Sequence, residues 1–477
     1  MSASLSRLAA ATLLASFNGP DVPGWVRRRV DEGLGGVCLF GSNLAGVESA
    51  AAVSAVLHEA RPSVLVATDE EGGDVTRIEA RNGSSVPGNA ALGAVDDTGL
   101  TRDVFASLGR VLVDAGIDLD LAPCADVNVD AANPVIGVRS FGADPQLVAR
   151  HVAAAVHGLQ GVGVAACAKH FPGHGATTVD SHLDLPVVDV PAEVVLGREL
   201  VPFRAAIAAG VATIMTGHLV VPAFDELPAT VSRPLLVDLL RDELGFTGAV
   251  VTDALDMHGI GGPSAIPANV VGALGAGVDL CCLGSDATDE LVGACVDAVV
   301  AAVEAGELDE ERLADAARRV AGIAVEGDAL EPGDLAELGA DAARRALRVE
   351  GDLPSDLRGA HVVEIRRPPT IAAGPVPSRL AGPLQRLDPT VTHSDHAAVP
   401  DRPLIVVIRD VQILPDGPER LDALLAERPD AVVVDLGWPS GEPLRSRARV
   451  STFGASRAGI AAVAELLTTT STRKAHG

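Results

Sequence analysis

The chain of 477 residues has no tyrosine, two tryptophans and nine phenylalanines, so aromatics make up 2% of it. Its cores must be built from Ala, Val, Leu and Ile. Any ligand site here would have few aromatic platforms and would rely on polar and charged contacts. Positive charge is scarce as well: 37 Lys and Arg face 64 Asp and Glu, a formal net charge of -27. Nucleic acid, anionic membrane and polyphosphate are bound by clustered Lys and Arg, so this balance argues against all three as partners. The six cysteines, Cys38, Cys124, Cys167, Cys281, Cys282 and Cys295, form no C-x-x-C pair. They read as buried reduced thiols of a cytosolic protein, with no structural zinc site. No apolar stretch approaches 18 residues without Gly or a charge, so no membrane span is expected.

What is present is a hydrophobic content of 48%, enough for large cores, which excludes global disorder. The length suggests two or three domains, one of them large. The N-terminal run of Arg7 and LAAATLLASF has two readings, a short secretory leader or a helix feeding a buried strand. No A-x-A-like cleavage site precedes Asn18-Gly19-Pro20, which favours the second.

Eight short apolar runs recur between Ala- and Leu-rich helical stretches. They are ATLLASF (11–17), GGVCLFGSN (35–43), SVLVATDEEGG (63–73), IDLDLAPCADVN (117–128), VAACAKHFPGHG (164–175), ATIMTGHLVV (212–221), GAVVTDALDM (248–257) and GVDLCCLGS (277–285). Eight such units predict a TIM-type (β/α)8 barrel rather than a doubly wound open sheet. A smaller α/β layered C-terminal domain is expected after it, from HVVEI (361–365), RPLIVVIRD (402–410), DAVVVDLGWP (430–439), ARVSTFGASR and their intervening helices. The expected division is 1–345 for the barrel and 346–477 for the second domain, with RRPPTIAAGPVPSRLAGP as a segment of low order. G-x-G-x-x-G and Walker A motifs are absent, so nucleotide binding has no support.

Polar residues fall at the C-terminal ends of the predicted strands, the face where βα loops of a barrel converge. They are Asn18, Ser42 and Asn43, Asp69 to Glu71, Asp126 and Asn128, Lys169 and His170, His218, Asp253, and Ser285 with Asp286. The densest constellation is KHFPGHGATTVDSH (169–182). Asp180 stands two residues from His182, close enough to hydrogen-bond it, fix its tautomer and make it a competent acid/base. A lone D-x-H pair is common in solvated loops, but a Gly-rich loop at a strand end favours function. His170, His174, Asp180 and His182 also permit a zinc reading. The adjacent Lys169 places a cation beside any such metal and argues against it.

Asp253 ends the apolar run of GAVVTDALDM. A carboxylate there can attack an anomeric carbon, or it can cap the next helix. Asp69, Arg77 and Arg139 form a third set, a carboxylate and two guanidiniums able to grip sugar hydroxyls, or else surface ion pairs.

Taken together, DEEGG with Arg77, NPVIGVRSFGADP, KHFPGHG followed by DSH, and VVTDALDM resemble glycoside hydrolase family 3, and within it the NagZ-like β-N-acetylglucosaminidases. The resemblance covers roughly residues 10–330, and the C-terminal region is similar to the second domain of the longer members. TDALDM departs from the S-D-D-L-x-M form of the single-domain members, and Ala254 is consistent with the longer branch.

The resemblance implies a retaining exo-β-N-acetylglucosaminidase acting on muropeptide or chitin-type fragments without metal or cofactor. It implies Asp253 as nucleophile and His182 as acid/base, oriented by Asp180. It implies Asp69, Arg77, Arg139, Lys169 and His170 as the grip on a terminal GlcNAc. Phosphate instead of water as acceptor, or a β-glucosidase, are the rivals within the family. A metal-dependent hydrolase and a non-catalytic sugar-binding barrel are the rivals outside it. With no clear leader or lipobox, a cytoplasmic role is expected.

Overall fold

The computed structural model describes residues 2–328, 330–367, 374, 379–394, 401–439 and 444–472. Most of the predicted low-order segment lies outside the described residues. The N-terminal run is a helix, Ser2–Ala11, feeding a strand whose three residues are all buried. Among the described residues, no helix is long and apolar enough to cross a membrane.

Eight parallel strands follow one another around a barrel. They are β1 (Leu13–Ala15), β2 (Gly36–Leu39), β3 (Leu65–Thr68), β4 (Leu119–Asp120), β5 (Ala165–Phe171), β6 (Thr213–Thr216), β7 (Ala249–Thr252) and β8 (Cys281–Cys282). Each lies within one of the eight apolar runs. The spatial order is β8-β1-β2-β3-β4-β5-β6-β7. A parallel bridge between Val251 and Leu280 joins β7 to β8 and closes the ring. Closure rules out the open doubly wound sheet.

Strand alternation sorts the side chains into two cores. Leu13, Val37, Leu39, Val66, Ala166, Ile214 and Val250 point outward and pack under the helices. Leu14, Cys38, Leu65, Ala67, Leu119, Ala165, Cys167, Met215, Ala249, Val251 and Cys282 fill the barrel interior. Phenylalanines are the aromatics buried in the outer core, with the half-buried Trp25 packed against it. Aliphatic and sulfur side chains fill the interior, a packed core of the kind an eight-stranded barrel holds.

The C-terminal domain is a six-stranded sheet of β9 (Arg348–Gly351), β10 (His361–Arg366), β11 (Thr392–Ser394), β12 (Leu404–Arg409), β13 (Val432–Asp435) and β14 (Ala448–Ser451), in the order β9-β14-β13-β12-β10-β11. All pairs are parallel except β9 with β14. Apolar clusters cover both faces, as expected for a layered α/β unit. The sequence pattern finds β10, β12, β13 and β14. It misses β9 and β11 because both are edge strands with little buried surface.

Candidate active site

The inward parity of each barrel strand continues past its end into the chemistry. Leu65 and Ala67 are followed by Asp69, Ala165 and Cys167 by Lys169, and Ala249 and Val251 by Asp253, each two residues further on. These polar side chains therefore emerge above the apolar interior on the C-terminal face. They line a cavity of about 650 Å³ together with Glu71, Arg77, Arg139, His170 and His182. Cys38, Leu121, Met215 and Cys282, from even-numbered strands or their ends, also line it.

One wall is a network of buried charges. Lys169 Nζ lies 2.7 Å from Asp69 Oδ1 and 2.7 Å from Glu71 Oε1. Arg139 grips Glu71 with two parallel bonds, Nε to Oε2 at 2.9 Å and Nη2 to Oε1 at 2.7 Å. Arg77 Nη2 stands 3.6 Å from Asp69 Oδ2. Arg77 and Arg139 are only 11% and 10% exposed as side chains, so neither is a surface ion pair. Burial alone pushes the Glu71 carboxyl up, but Arg139 and Lys169 overcome it and hold Glu71 well below the usual carboxylate range. Asp69 is likewise lowered, Lys169 and Arg77 outweighing its burial. Fixed, ionised acceptors and donors of this kind can meet a row of sugar hydroxyls without reorganising.

Glu70, between these two acids, turns away. It is 1% exposed and accepts the backbone N–H groups of Arg77 and Ile78 at 2.8 and 2.9 Å. It braces the segment that carries Arg77.

Asp253 does not cap a helix. Its Oδ1 accepts the N–H of Ala254 at 2.8 Å, and the next α-helix begins only at Ile266. Its Oδ2 faces His170 Nε2 at 4.0 Å. Burial raises the Asp253 carboxyl, but the field of His170, His218 and His182 prevails and holds it at about 2. His170 is oriented by Asp126, whose Oδ2 lies 2.7 Å from His170 Nδ1. Asp126 is fully buried and also accepts the N–H of His174 at 2.7 Å.

His182 sits on the long loop after β5. Its Nδ1 lies 2.8 Å from Asp180 Oδ1, which also accepts the His182 N–H at 3.0 Å. With Nδ1–H donated to a carboxylate, Nε2 is the atom free to carry a proton. The loop is pinned from below by His174, which lies 2.7 Å from Thr177 Oγ1 and 3.2 Å from Ser181 Oγ. Burial lowers His174 to about 4, so it is a neutral brace. Gly175 lets the loop approach the segment that follows β4, since a Cβ there would fall 2.0 Å from the Val127 carbonyl oxygen.

The structure thus brings Asp69, Arg77, Arg139, Lys169, His170, His182 and Asp253 to one cavity, with Asp180 behind His182. The four residues of the zinc reading do not converge. His170 Nδ1 is engaged by Asp126, His182 Nδ1 by Asp180, and both nitrogens of His174 by hydroxyls. Among the described residues, the group able to gather around an ion is Cys124, Asp126 and His170, all buried. Glu71, Asp126, His174 and Glu70 carry structural weight here that the motifs alone do not assign. The alternation from Ala67 through Asp69 to Glu71 is the sequence signal for the first of them.

A model described as the glycosyl hydrolase family 3 N terminal domain matches residues 27–323. A β-hexosaminidase of Thiobacillus denitrificans is 38% identical over 277 residues, covering 56% of this chain and 76% of its own length. The solved structure of a glycoside hydrolase family 3 β-N-acetylglucosaminidase from Paenibacillus superposes with a TM-score of 0.88 at 32% identity, over 98% of this chain and 97% of that one. The crystal structure of a β-N-acetylhexosaminidase from Beutenbergia cavernae matches with a TM-score of 0.60 at 32% identity, over 67% of this chain and 97% of that one.

Proposed function

The chain belongs to glycoside hydrolase family 3, and from that premise we propose that it is a retaining exo-β-N-acetylglucosaminidase releasing terminal GlcNAc from muropeptide or chitin-type fragments. Its relatives are β-hexosaminidases and a β-N-acetylglucosaminidase, and it is a glycoside hydrolase acting on GlcNAc. The observation that carries the mechanistic reading is the pairing, in one cavity, of an ionised Asp253 with a His182 whose Nδ1 is tied to Asp180.

In this reading Asp69, Arg77, Arg139, Lys169 and His170 hold the hydroxyls of the terminal sugar. His182 Nε2–H protonates the glycosidic oxygen as Asp253 attacks the anomeric carbon, and a glycosyl ester forms on Asp253. His182, now neutral, takes a proton from the incoming water, which opens the ester with net retention. A carboxylate held at about 2 is ionised at any working pH, as a nucleophile requires. The catalytic unit is taken as residues 1–345, with 346–477 as a domain docked on it.

The acid/base is an imidazole rather than the usual second carboxyl, so it carries no negative charge of its own after giving up its proton. Phosphate is therefore a second acceptor compatible with the same dyad. The test is hydrolysis of an aryl β-GlcNAc with and without inorganic phosphate. Turnover without phosphate, with GlcNAc as product, supports the hydrolase. A rate that requires phosphate and yields a sugar phosphate overturns it in favour of phosphorolysis. No turnover of the GlcNAc substrate in either condition removes the functional reading.

A further inference from the structure

The turn from Asp69 to Asp74 faces two ways. Asp69 and Glu71 enter the cavity, while Asp74, 7% exposed, points into the C-terminal domain. There it accepts Nη2 of Arg409 at 2.7 Å and the N–H of Ala455 at 2.7 Å. Arg409 is the last residue of β12, and its side chain is 8% exposed. Between Glu71 and Asp74 lie Gly72 and Gly73, with φ of +77° and +63°. A Cβ on Gly73 would sit 2.4 Å from Gly88 Cα. The turn is therefore closely packed against Gly88, and only two residues separate Asp74 from Glu71.

The C-terminal domain also touches the loop that carries Arg139. Arg367 Nη1 donates to the Pro134 carbonyl at 3.0 Å, and Gln412 Nε2 donates to the Ala131 carbonyl at 3.0 Å. Phe453 and Gly454 line a small crevice with Glu71 and Arg139, behind the ion pair that faces the main cavity. Both halves of the Glu71–Arg139 pair thus belong to loops that the second domain holds from outside.

We propose that the C-terminal domain is a working part of the sugar grip, with Asp74 and Arg409 as the positioning pair that fixes Glu71, and through Glu71 both Arg139 and Lys169. Neither Asp74 nor Arg409 touches the cavity, so neither is a catalytic residue. The inference rests on the reading that this cavity binds the terminal GlcNAc.

The test uses the full chain. Removing one partner of a buried pair leaves an uncompensated charge, whereas replacing both with neutral residues of similar volume is commonly tolerated. The double variant Asp74→Asn/Arg409→Met is therefore the main probe, with Asp74→Asn alone as the second, since it keeps an acceptor for the Ala455 N–H. Arg409→Lys tests rescue, because it restores the charge without the fork. Arg348→Ala is the control, because Arg348 Nη2 bonds the Ala94 carbonyl across the same two domains but away from the cavity.

The readouts are KM and kcat on an aryl β-GlcNAc, the dissociation constant of free GlcNAc by calorimetry, and the melting temperature. The expected result is a KM and a GlcNAc dissociation constant both raised about tenfold or more in the double variant, about the loss of one charge-assisted contact. The change in kcat should be smaller, Arg409→Lys intermediate and Arg348→Ala unchanged. Wild-type KM and GlcNAc affinity in both the double variant and Asp74→Asn would overturn the inference, leaving the domain merely attached. If wild-type protein itself binds no GlcNAc and turns over no GlcNAc glycoside, the functional reading fails instead.

Discussion

Asp253 Oδ2 lies 4.0 Å from His170 Nε2, with no hydrogen bond between them. At that distance the imidazole stabilises the carboxylate through its field and leaves the oxygen's lone pairs uncommitted. A direct bond would make the oxygen a poorer nucleophile. His170 is kept at this station by Asp126 on its other nitrogen. The same division holds across the cavity. The charges proposed to bind the sugar are locked to one another, and the two groups proposed for the reaction each keep a free atom.

Replacing Glu71 should weaken substrate binding more than it slows chemistry. Glu71 is the shared partner of Lys169 and Arg139. In Glu71→Gln the two cations lose a common anion and repel each other. An increase in KM of about 10- to 100-fold is expected, the scale of one or two charge-assisted hydrogen bonds. Steady-state kinetics on an aryl β-GlcNAc check this, and an unchanged KM would show that the wall is structural only.

His182→Ala should harm substrates with poor leaving groups far more than nitrophenyl glycosides. A nitrophenolate departs almost without a proton, whereas a sugar alkoxide does not. Asp180→Ala should act through His182, since the 2.8 Å bond is what orients the imidazole. The double variant should then lose much less than the sum of the singles. Both singles and the double, each measured on an activated and an unactivated GlcNAc glycoside, give the answer. Equal losses on both substrates with additive singles would make His182 a sugar binder.

Much of this arrangement is legible in the sequence because strand periodicity and chemistry coincide. The eight apolar runs locate the barrel strands, and Lys169 and Asp253 fall at positions continuing the inward parity. The motif DEEGG is less transparent, because three adjacent acids look equivalent in one dimension. Only the fold separates them, Asp69 and Glu71 facing the cavity while Glu70 is buried in the wall behind it. Asp126 and His174 are visible as polar strand-end or loop residues, but their work depends on contacts across 44 and 7 positions. The partner of Asp74 lies 335 residues away, so no local pattern points to it. Edge strands β9 and β11 are invisible for the opposite reason, since they bury too little to leave a periodic trace.

Glu70 should make the protein less stable as pH rises through neutrality. Burial raises its carboxyl from 4.5 to about 7, against the hydrogen bonds from Thr76 and the Ile78 and Arg77 N–H groups. Between these values the folded chain keeps a proton that the unfolded chain has released. The contribution is full below 4.5 and is lost as pH rises through about 7. Glu70→Gln stays neutral, so its melting temperature relative to wild type should climb between about pH 5 and about pH 8. Parallel pH slopes for the two proteins would contradict this.

Chelators should leave activity intact. Lys169 already supplies the cation between Asp69 and Glu71, and the proposed steps need only a carboxylate and a proton carrier. Activity is to be measured after extended dialysis against EDTA, then with zinc added back. Loss on chelation with recovery on zinc would direct attention to Cys124, Asp126 and His170, the buried donor group beside Asp253.

The central claim is that Asp253 forms a covalent bond to the sugar. A 2-deoxy-2-fluoro or 5-fluoro glycoside with a good leaving group slows the second step and allows the ester to accumulate, so that peptide mass spectrometry can locate it. The account predicts a single label on Asp253, and an Asp253→Ala variant that folds normally, takes up no label and has lost several orders of magnitude in turnover. A label on another carboxylate, or near-normal turnover in Asp253→Ala, would contradict it.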